Sequence, residues 1–342
     1  MIKSLTFAIS LIIFAYILQS NDALAKNQAM KRDYIVQEQV KENVLFVDFI
    51  NERIEKRTNR VSESTLKNDI TARNSLLDFE KEYNATLFTN SISDEFLSDY
   101  VMFMQNKGLK QTYIRRIVGS ITQYARRASI LGYPVNHSFE DFAISDDKPF
   151  NVYLTTGDIT RIYYSDHKLS RIQRQQKDLF IVGCWTGMRY SDYSKLTKDD
   201  FSNGFIRKTT QKTKTKVVIP IHDYIKEIFE KYDGNISRGT SIQQFDRIIK
   251  VIMKKIGFTQ PISYTVIEGG IPVTHTKPKY ELIASHTARR SFATNMYKSG
   301  RMKTYQIMAC TGHGTEKSFF RYINIDNEEI ANQIAGDIIF KA

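Results

Sequence analysis

Thr311-Gly312-His313-Gly314-Thr315-Glu316-Lys317-Ser318-Phe319-Phe320-Arg321-Tyr322 decides how the rest of the chain is read. A histidine follows a glycine, and nine residues later comes a tyrosine with an arginine beside it. Gly312 has the place of a helix C-terminal residue in the left-handed conformation. Thr315 is placed to cap a further short helix, which is expected to carry Tyr322. Alone, the stretch says only that a tyrosine ends a helix.

Three other stretches change its weight. Ser285-His286-Thr287-Ala288-Arg289-Arg290-Ser291-Phe292-Ala293-Thr294 predicts a helix with Ser285 at its N-cap, and His286 and Arg289 sharing one face. Thr186-Gly187-Met188-Arg189-Tyr190-Ser191-Asp192 adds a second arginine, and Lys212 stands in a basic turn. Phosphodiester transfer to a hydroxyl builds negative charge on two non-bridging oxygens, which fixed cations must meet. Arginine suits that task, since its planar fork binds phosphate bidentately and keeps its proton. A tyrosine hydroxyl, with a pKa of about 10, needs a neighbour to take its proton.

The order Arg, Lys, His-x-x-Arg, Gly-His, Tyr resembles the tyrosine recombinase (phage integrase) family over roughly residues 44–335. The runs His-Thr-Ala-Arg-Arg-Ser-Phe-Ala-Thr and Thr-Gly-His-x-Thr-Glu bring it nearest to integrases of conjugative and transposable elements. The resemblance implies Tyr322 as nucleophile and Arg189 and Arg289 as phosphate clamps. It implies His286 as general base or acid, and His313 as holder of the second non-bridging oxygen. Lys212 is the matched general acid, taken over Lys208, Lys214 and Lys216 because it lies eight before Pro220, as in related integrases. A 3′-phosphotyrosyl bond would store the energy of the broken linkage, so no ATP, metal or other cofactor is implied. Implied partners are double-stranded DNA at specific recombination sites, a homotetramer on synapsed DNA, and accessory DNA-bending proteins. A type IB topoisomerase-like enzyme and a non-catalytic DNA-binding regulator descended from an integrase are the alternatives.

Composition agrees with a polyanionic partner. Lys and Arg outnumber Asp and Glu by 49 to 37, a net charge of +12. Hydrophobic content of 42% in 342 residues is enough for two or three globular cores. Cys184 and Cys310 lie in apolar helical patterns and read as core thiols. Cys310-x-x-His313 lacks a second ligand pair at zinc spacing.

The expected fold is mainly α with small β hairpins: a helical SAM-like core-binding domain, then a tyrosine-recombinase catalytic domain. The expected boundaries are an apolar segment and linker at 1–43, a helical DNA-binding domain at 44–140 and a catalytic domain at 150–342. Residues 1–25 have a signal-peptide pattern, yet work on DNA points to the cytoplasm. Related integrases usually carry an arm-type DNA-binding domain at the N-terminus, where this sequence has the apolar segment.

Helices are expected near 45–54, 64–82, 94–105 and 111–131. On the last, Arg115-Arg116 and Arg126-Arg127 lie eleven residues apart and return to nearly the same angle. Val101 to Phe139 contains no acidic residue, so a face lying along DNA phosphates is preferred to a merely solvated one. Gly132 to Pro149 reads as a linker. Phe205–Thr210 and Lys216–Ile221 predict strands joined by a loop carrying Lys212 and Lys214, the latter taken as binding DNA. Ser263–Glu268 and Ile271–Thr276 predict a second hairpin turning at Gly269-Gly270. A C-terminal helix over Asn327–Phe340, with Ile330, Ile334, Ile338 and Ile339 on one face, is expected to dock on a neighbouring protomer, as in related recombinases.

Overall fold

The structure, a computed structural model, describes residues 41–145, 150–167, 169–236 and 240–323, together with 328, 331, 334 and 335. It is mainly helical with two small sheets, as expected. It divides into two compact units, one of residues 1–147 with 267–272 and one of 148–266 with 273–342. The segment 1–25 and most of 327–340 lie outside the described residues. No described helix is long and apolar enough to cross a membrane.

The first unit packs four helices: α1 (Phe46–Arg57), α2 (Glu63–Tyr83), α3 (Asp94–Asn106) and α4 (Gln111–Ile130). Ser62 caps α2 and Ser93 caps α3, each side chain accepting a backbone N–H of the first turn. The apolar stripe of α4 recurs at helical spacing, and Ile114, Ile117, Ile121 and Tyr124 are all buried. Phe46, Phe49, Leu76, Phe79, Tyr100 and Phe103 complete the core. Fully burying each such side chain contributes about 1.5–3 kcal/mol. Part of the stretch expected as a linker belongs to this core instead. Phe139 is fully buried in it, and Tyr133, Val135, Phe142 and Ile144 pack against the same core, because apolar side chains beside an open core are drawn onto it.

The second unit opens with α5 (Thr156–Tyr163), started by a capping box between Thr155 and Asp158. Then comes α6 (Arg171–Thr186), whose second half is buried all round and is the centre of this core. A short turn of helix, α7 (Tyr190–Tyr193), follows. Strands β1 (Phe201–Ser202), β2 (Phe205–Thr209) and β3 (Lys216–Pro220) form an antiparallel sheet in which Ile206 pairs with Ile219. Ile206, Val217 and Ile219 turn inward while Lys216 and Val218 face solvent, the period-two alternation of a half-buried sheet. Helices α8 (Asp223–Lys231) and α9 (Ile242–Ile256) come next, then the hairpin of β4 (Pro261–Glu268) and β5 (Ile271–Pro278), whose tip at 267–272 counts with the first unit. A short α10 (Lys279–Leu282) leads into α11 (Ser285–Lys298), α12 (Thr304–Thr311) and α13 (Glu316–Phe320).

Two glycines let the chain ends of α6 and α12 approach α11. Gly187 closes α6 at φ +65°, where a Cβ would stand 2.4 Å from the Phe292 ring and 2.9 Å from the Thr311 methyl. Gly312 closes α12 in the same left-handed region, at φ +67°. Arg189 and His313, one or two residues past these turns, are thereby carried to the same end of α11.

Candidate active site

The first turn of α11 differs from the expected one. Ser285 is the first helical residue, not the cap: its N–H donates to Asp246 Oδ1 at 2.7 Å. The Thr287 hydroxyl instead accepts the Ala284 N–H at 3.0 Å. From this turn His286 and Arg289 point to one side. Arg289, 1% exposed, gives Nη1 to the carbonyls of Gly187 and Thr311 and Nη2 to His313 Nε2 at 2.9 Å. A guanidinium can satisfy three such partners at once only because its donors form a rigid fork.

Tyr322 also departs from the expected placement. Thr315 caps α13, with its hydroxyl accepting the Ser318 N–H at 3.2 Å, but the helix ends at Phe320 and Tyr322 lies in the turn beyond. The Tyr322 carbonyl accepts from Thr294 Oγ1 at 3.1 Å, tying this turn to α11. The hydroxyl lies 2.8 Å from His286 Nε2. The His313 ring centre is 4.6 Å from that of Tyr322, and the Arg289 guanidinium sits 5.4 Å from the tyrosine ring.

Charge is crowded here. Burial, then the positive charges of Arg290, Arg289, Arg189 and Lys212, hold His286 down at about 4. Burial, then Arg289, Arg189 and His286, hold His313 down at about 3. Both imidazoles are therefore neutral near neutral pH. Arg289 itself is lowered to about 10, by burial and then by Arg189. Two buried guanidinium N–H groups, Arg189 Nη1 and Arg289 Nε, have no protein partner. Such donors are costly to leave unmade, so an anion within reach of either would be favoured. A cavity of about 1120 Å³ opens beside Arg189 and His286, walled in part by Leu196, Ile236 and Ile242.

The structure thus gathers Arg189, His286, Arg289, His313 and Tyr322 in one place. Lys212 stands apart from that packed group, exposed on the β2–β3 loop, though close enough for its charge to act on His286. Of its neighbours, Lys208 is engaged with Asp200 at 2.6 Å, and Lys214 is exposed with φ +54°. Arg115, Arg116, Arg126 and Arg127 are exposed on α4 in the other unit. There Arg126 and Arg127 line a pocket with Arg53 and Arg57.

Two residues at the site were missed from the sequence. Buried Asp192 accepts the Gln211 N–H at 2.8 Å and so anchors the loop beside Lys212. Thr311 lies 2.8 Å from His313 Nδ1 through its hydroxyl. Asp192 stands in the Arg189 motif and Thr311 in the Gly-His motif, so proximity in sequence was the available signal.

A helical unit followed by a mixed unit carrying this basic, tyrosine-containing cluster has the build of a tyrosine recombinase. The model of the phage integrase family matches residues 153–329, and that of the phage integrase SAM-like domain matches residues 45–144. The chain belongs to the phage integrase family. It is similar in fold to a lambda integrase dimer bound to a COC′ core site, with a TM-score of 0.61 and 17% identity over 89% of this chain and 87% of that one. It is similarly close to the Tn1549 transposon integrase in complex with circular intermediate DNA, with a TM-score of 0.61 and 15% identity over 85% and 99%. A lambda integrase tetramer bound to a Holliday junction matches with a TM-score of 0.59 and 17% identity over 82% and 78%. No curated protein matches the chain.

Proposed function

We propose that the chain is a site-specific DNA recombinase that cleaves and rejoins duplex DNA through a 3′-phosphotyrosyl intermediate. The observation that carries this reading is the 2.8 Å approach of the Tyr322 hydroxyl to Nε2 of a neutral His286, beside two guanidinium groups with unmade hydrogen bonds. A base within hydrogen-bond reach of the proton it removes is the first requirement of general-base catalysis.

The Tyr322 oxygen attacks phosphorus as its proton passes to His286 Nε2. The bond from phosphorus to the 5′ oxygen breaks, and that oxygen takes a proton from Lys212. Arg189 and Arg289 meet the charge on the non-bridging oxygens. His313 accepts from Arg289 Nη2 through its Nε2 lone pair at 2.9 Å and so holds the fork that meets that charge. Rejoining is the reverse, with a 5′ hydroxyl from either duplex as nucleophile. The phosphotyrosine conserves the bond energy, so the account calls for no ATP, and the arginines supply the charge a metal would otherwise bring. Strand exchange by this chemistry passes through a Holliday junction and needs four active sites on two duplexes. A homotetramer on paired sites is therefore part of the reading, and the match to an integrase tetramer on such a junction supports it. We place this work in the cytoplasm.

The test is Tyr322→Phe, which removes only the nucleophilic oxygen. Denaturation-resistant attachment to a duplex spanning the element's end should be abolished, with binding to that duplex nearly unchanged. A covalent adduct formed by the Phe variant would move the nucleophile elsewhere.

A further inference from the structure

The two ring nitrogens of His313 have two neighbours, and only one arrangement of protons satisfies both. Arg289 Nη2 lies 2.9 Å from Nε2. A guanidinium has donors and no acceptor, so Nε2 must present its lone pair. The neutral imidazole then carries its proton on Nδ1, which lies 2.8 Å from the Thr311 hydroxyl oxygen. Thr311 accepts that proton's hydrogen bond and gives its own to the Ile307 carbonyl at 2.8 Å, one helical turn back. The bonds run in one direction: His313 to Thr311 to Ile307 on one side of the ring, and Arg289 to His313 on the other.

Thr311 has little freedom to do otherwise. Its side chain is buried, and its backbone carbonyl holds Arg289 Nη1. Its methyl packs where Gly187 leaves room. Valine would fill the same space but leave Nδ1–H without a partner. A buried Nδ1–H with no acceptor is then about as costly as an Nε2–H facing the Arg289 donor, so nothing any longer fixes the proton on Nδ1.

We propose that Thr311 is a positioning residue of the transfer site: its hydroxyl fixes the Nδ1–H tautomer of His313 and so makes that ring the acceptor that holds the Arg289 fork in place. Thr311 does not touch the DNA; it acts through His313 and Arg289. The inference rests on the reading in which Arg289 meets the scissile phosphate.

The experiment uses the full chain labelled with ¹⁵N-histidine, which gives six rings to resolve. Long-range ¹H–¹⁵N spectra distinguish Nδ1–H from Nε2–H, and His313→Gln assigns the signal. Wild-type protein and Thr311→Ser should show the Nδ1–H pattern, and Thr311→Val should lose it. With a suicide duplex spanning the element's end, Thr311→Ser should cleave within about threefold of wild type. Thr311→Val should cleave on the order of 10- to 100-fold more slowly, less than the loss a wrong tautomer brings when the ring is itself the base. Its affinity for the duplex should stay within about threefold, because no DNA contact is removed.

An Nε2–H pattern in the wild-type protein overturns the proposal outright, even if Thr311→Val fails to fold. So does a Thr311→Val protein that keeps the Nδ1–H pattern or cleaves at the wild-type rate. A loss in Thr311→Ser as large as in Thr311→Val also overturns it. Tyr322→Phe separates the two readings. An adduct from that variant sinks the phosphotyrosyl account, while the tautomer measurement, which needs no DNA, still stands or falls alone.

Discussion

Arg289 and Lys212 are both cations at the same candidate site, and the protein treats them in opposite ways. Arg289 is 1% exposed, with three acceptors on its fork drawn from two turns of the chain, Gly187 after α6 and Thr311 and His313 at the end of α12. Lys212 is exposed at the tip of a strand connection whose nearest anchor is the Gln211 N–H on Asp192. Under the proposed mechanism this division makes physical sense. A group that meets charge on non-bridging oxygens must not reorganise as the charge develops, so it is built into the core. A group that delivers a proton to a departing oxygen must follow that oxygen, and a loop allows it to.

The largest effect should come from breaking the rigid side. Arg289→Lys keeps the charge but lacks the fork, so it cannot reach Gly187, Thr311 and His313 together. Cleavage should fall by about 10³, the loss expected for a removed transition-state donor. Buried carbonyls left unpaired should also destabilise the fold by about 1–3 kcal/mol, visible as a lower Tm. A variant with normal Tm and normal cleavage would show that the fork is dispensable.

Lys212→Ala tests the mobile side. Cleavage should fall by about 10², as for other general acids, with Tm unchanged because nothing packed is disturbed. A duplex with sulfur in place of the 5′ leaving oxygen needs no acid and should restore the rate. If it does not, Lys212 acts on binding instead, and the contrast with Arg289 loses its chemical meaning.

The same contrast explains what could be read in the sequence. Periodicity and caps are local, so α4 runs over Gln111–Ile130 against an expected 111–131, Gly312 closes α12, and Thr315 caps α13. Tertiary contacts are not local. Ser285 was a plausible cap until Asp246, 39 residues earlier, took its N–H. Phe139 gave no sign that it would leave a linker for the core. The Thr311 and Asp192 contacts depend on how turns meet in space, which no spacing reveals.

A smaller effect concerns pH. His286 and His313 are held at about 4 and about 3, below the usual imidazole value of about 6.5 that the unfolded chain should show. Between those limits the unfolded state binds protons that the folded state refuses, so stability falls as pH falls. His286 alone accounts for up to ~3 kcal/mol between about pH 6.5 and pH 4. The drop in Tm over this window should be shallower by several degrees in His286→Gln/His313→Gln than in wild type. Parallel curves would mean that the imidazoles are not held neutral by the core.

The smallest effect should come from the other unit and should leave both sides of the comparison alone. Arg115, Arg116, Arg126 and Arg127 are exposed on α4, and two of them are already steered. Arg116 donates to Asn68 at 3.2 Å and lies 5.0 Å over the Tyr113 ring, while Arg126 sits 6.0 Å from the Phe139 ring. We expect all four to contact phosphates rather than bases. Each replacement by alanine should then lower the slope of log affinity against log salt by about 0.9 and weaken binding to target and random duplex alike. Cleavage of DNA already bound should keep its rate, since neither the Arg289 fork nor the Lys212 loop is touched. A single replacement that changes site preference while leaving the salt slope alone would make that arginine a reader of bases. One that slows cleavage of bound DNA would mean that α4 helps to seat the phosphate at Arg289, and the two units could no longer be assigned binding and chemistry separately.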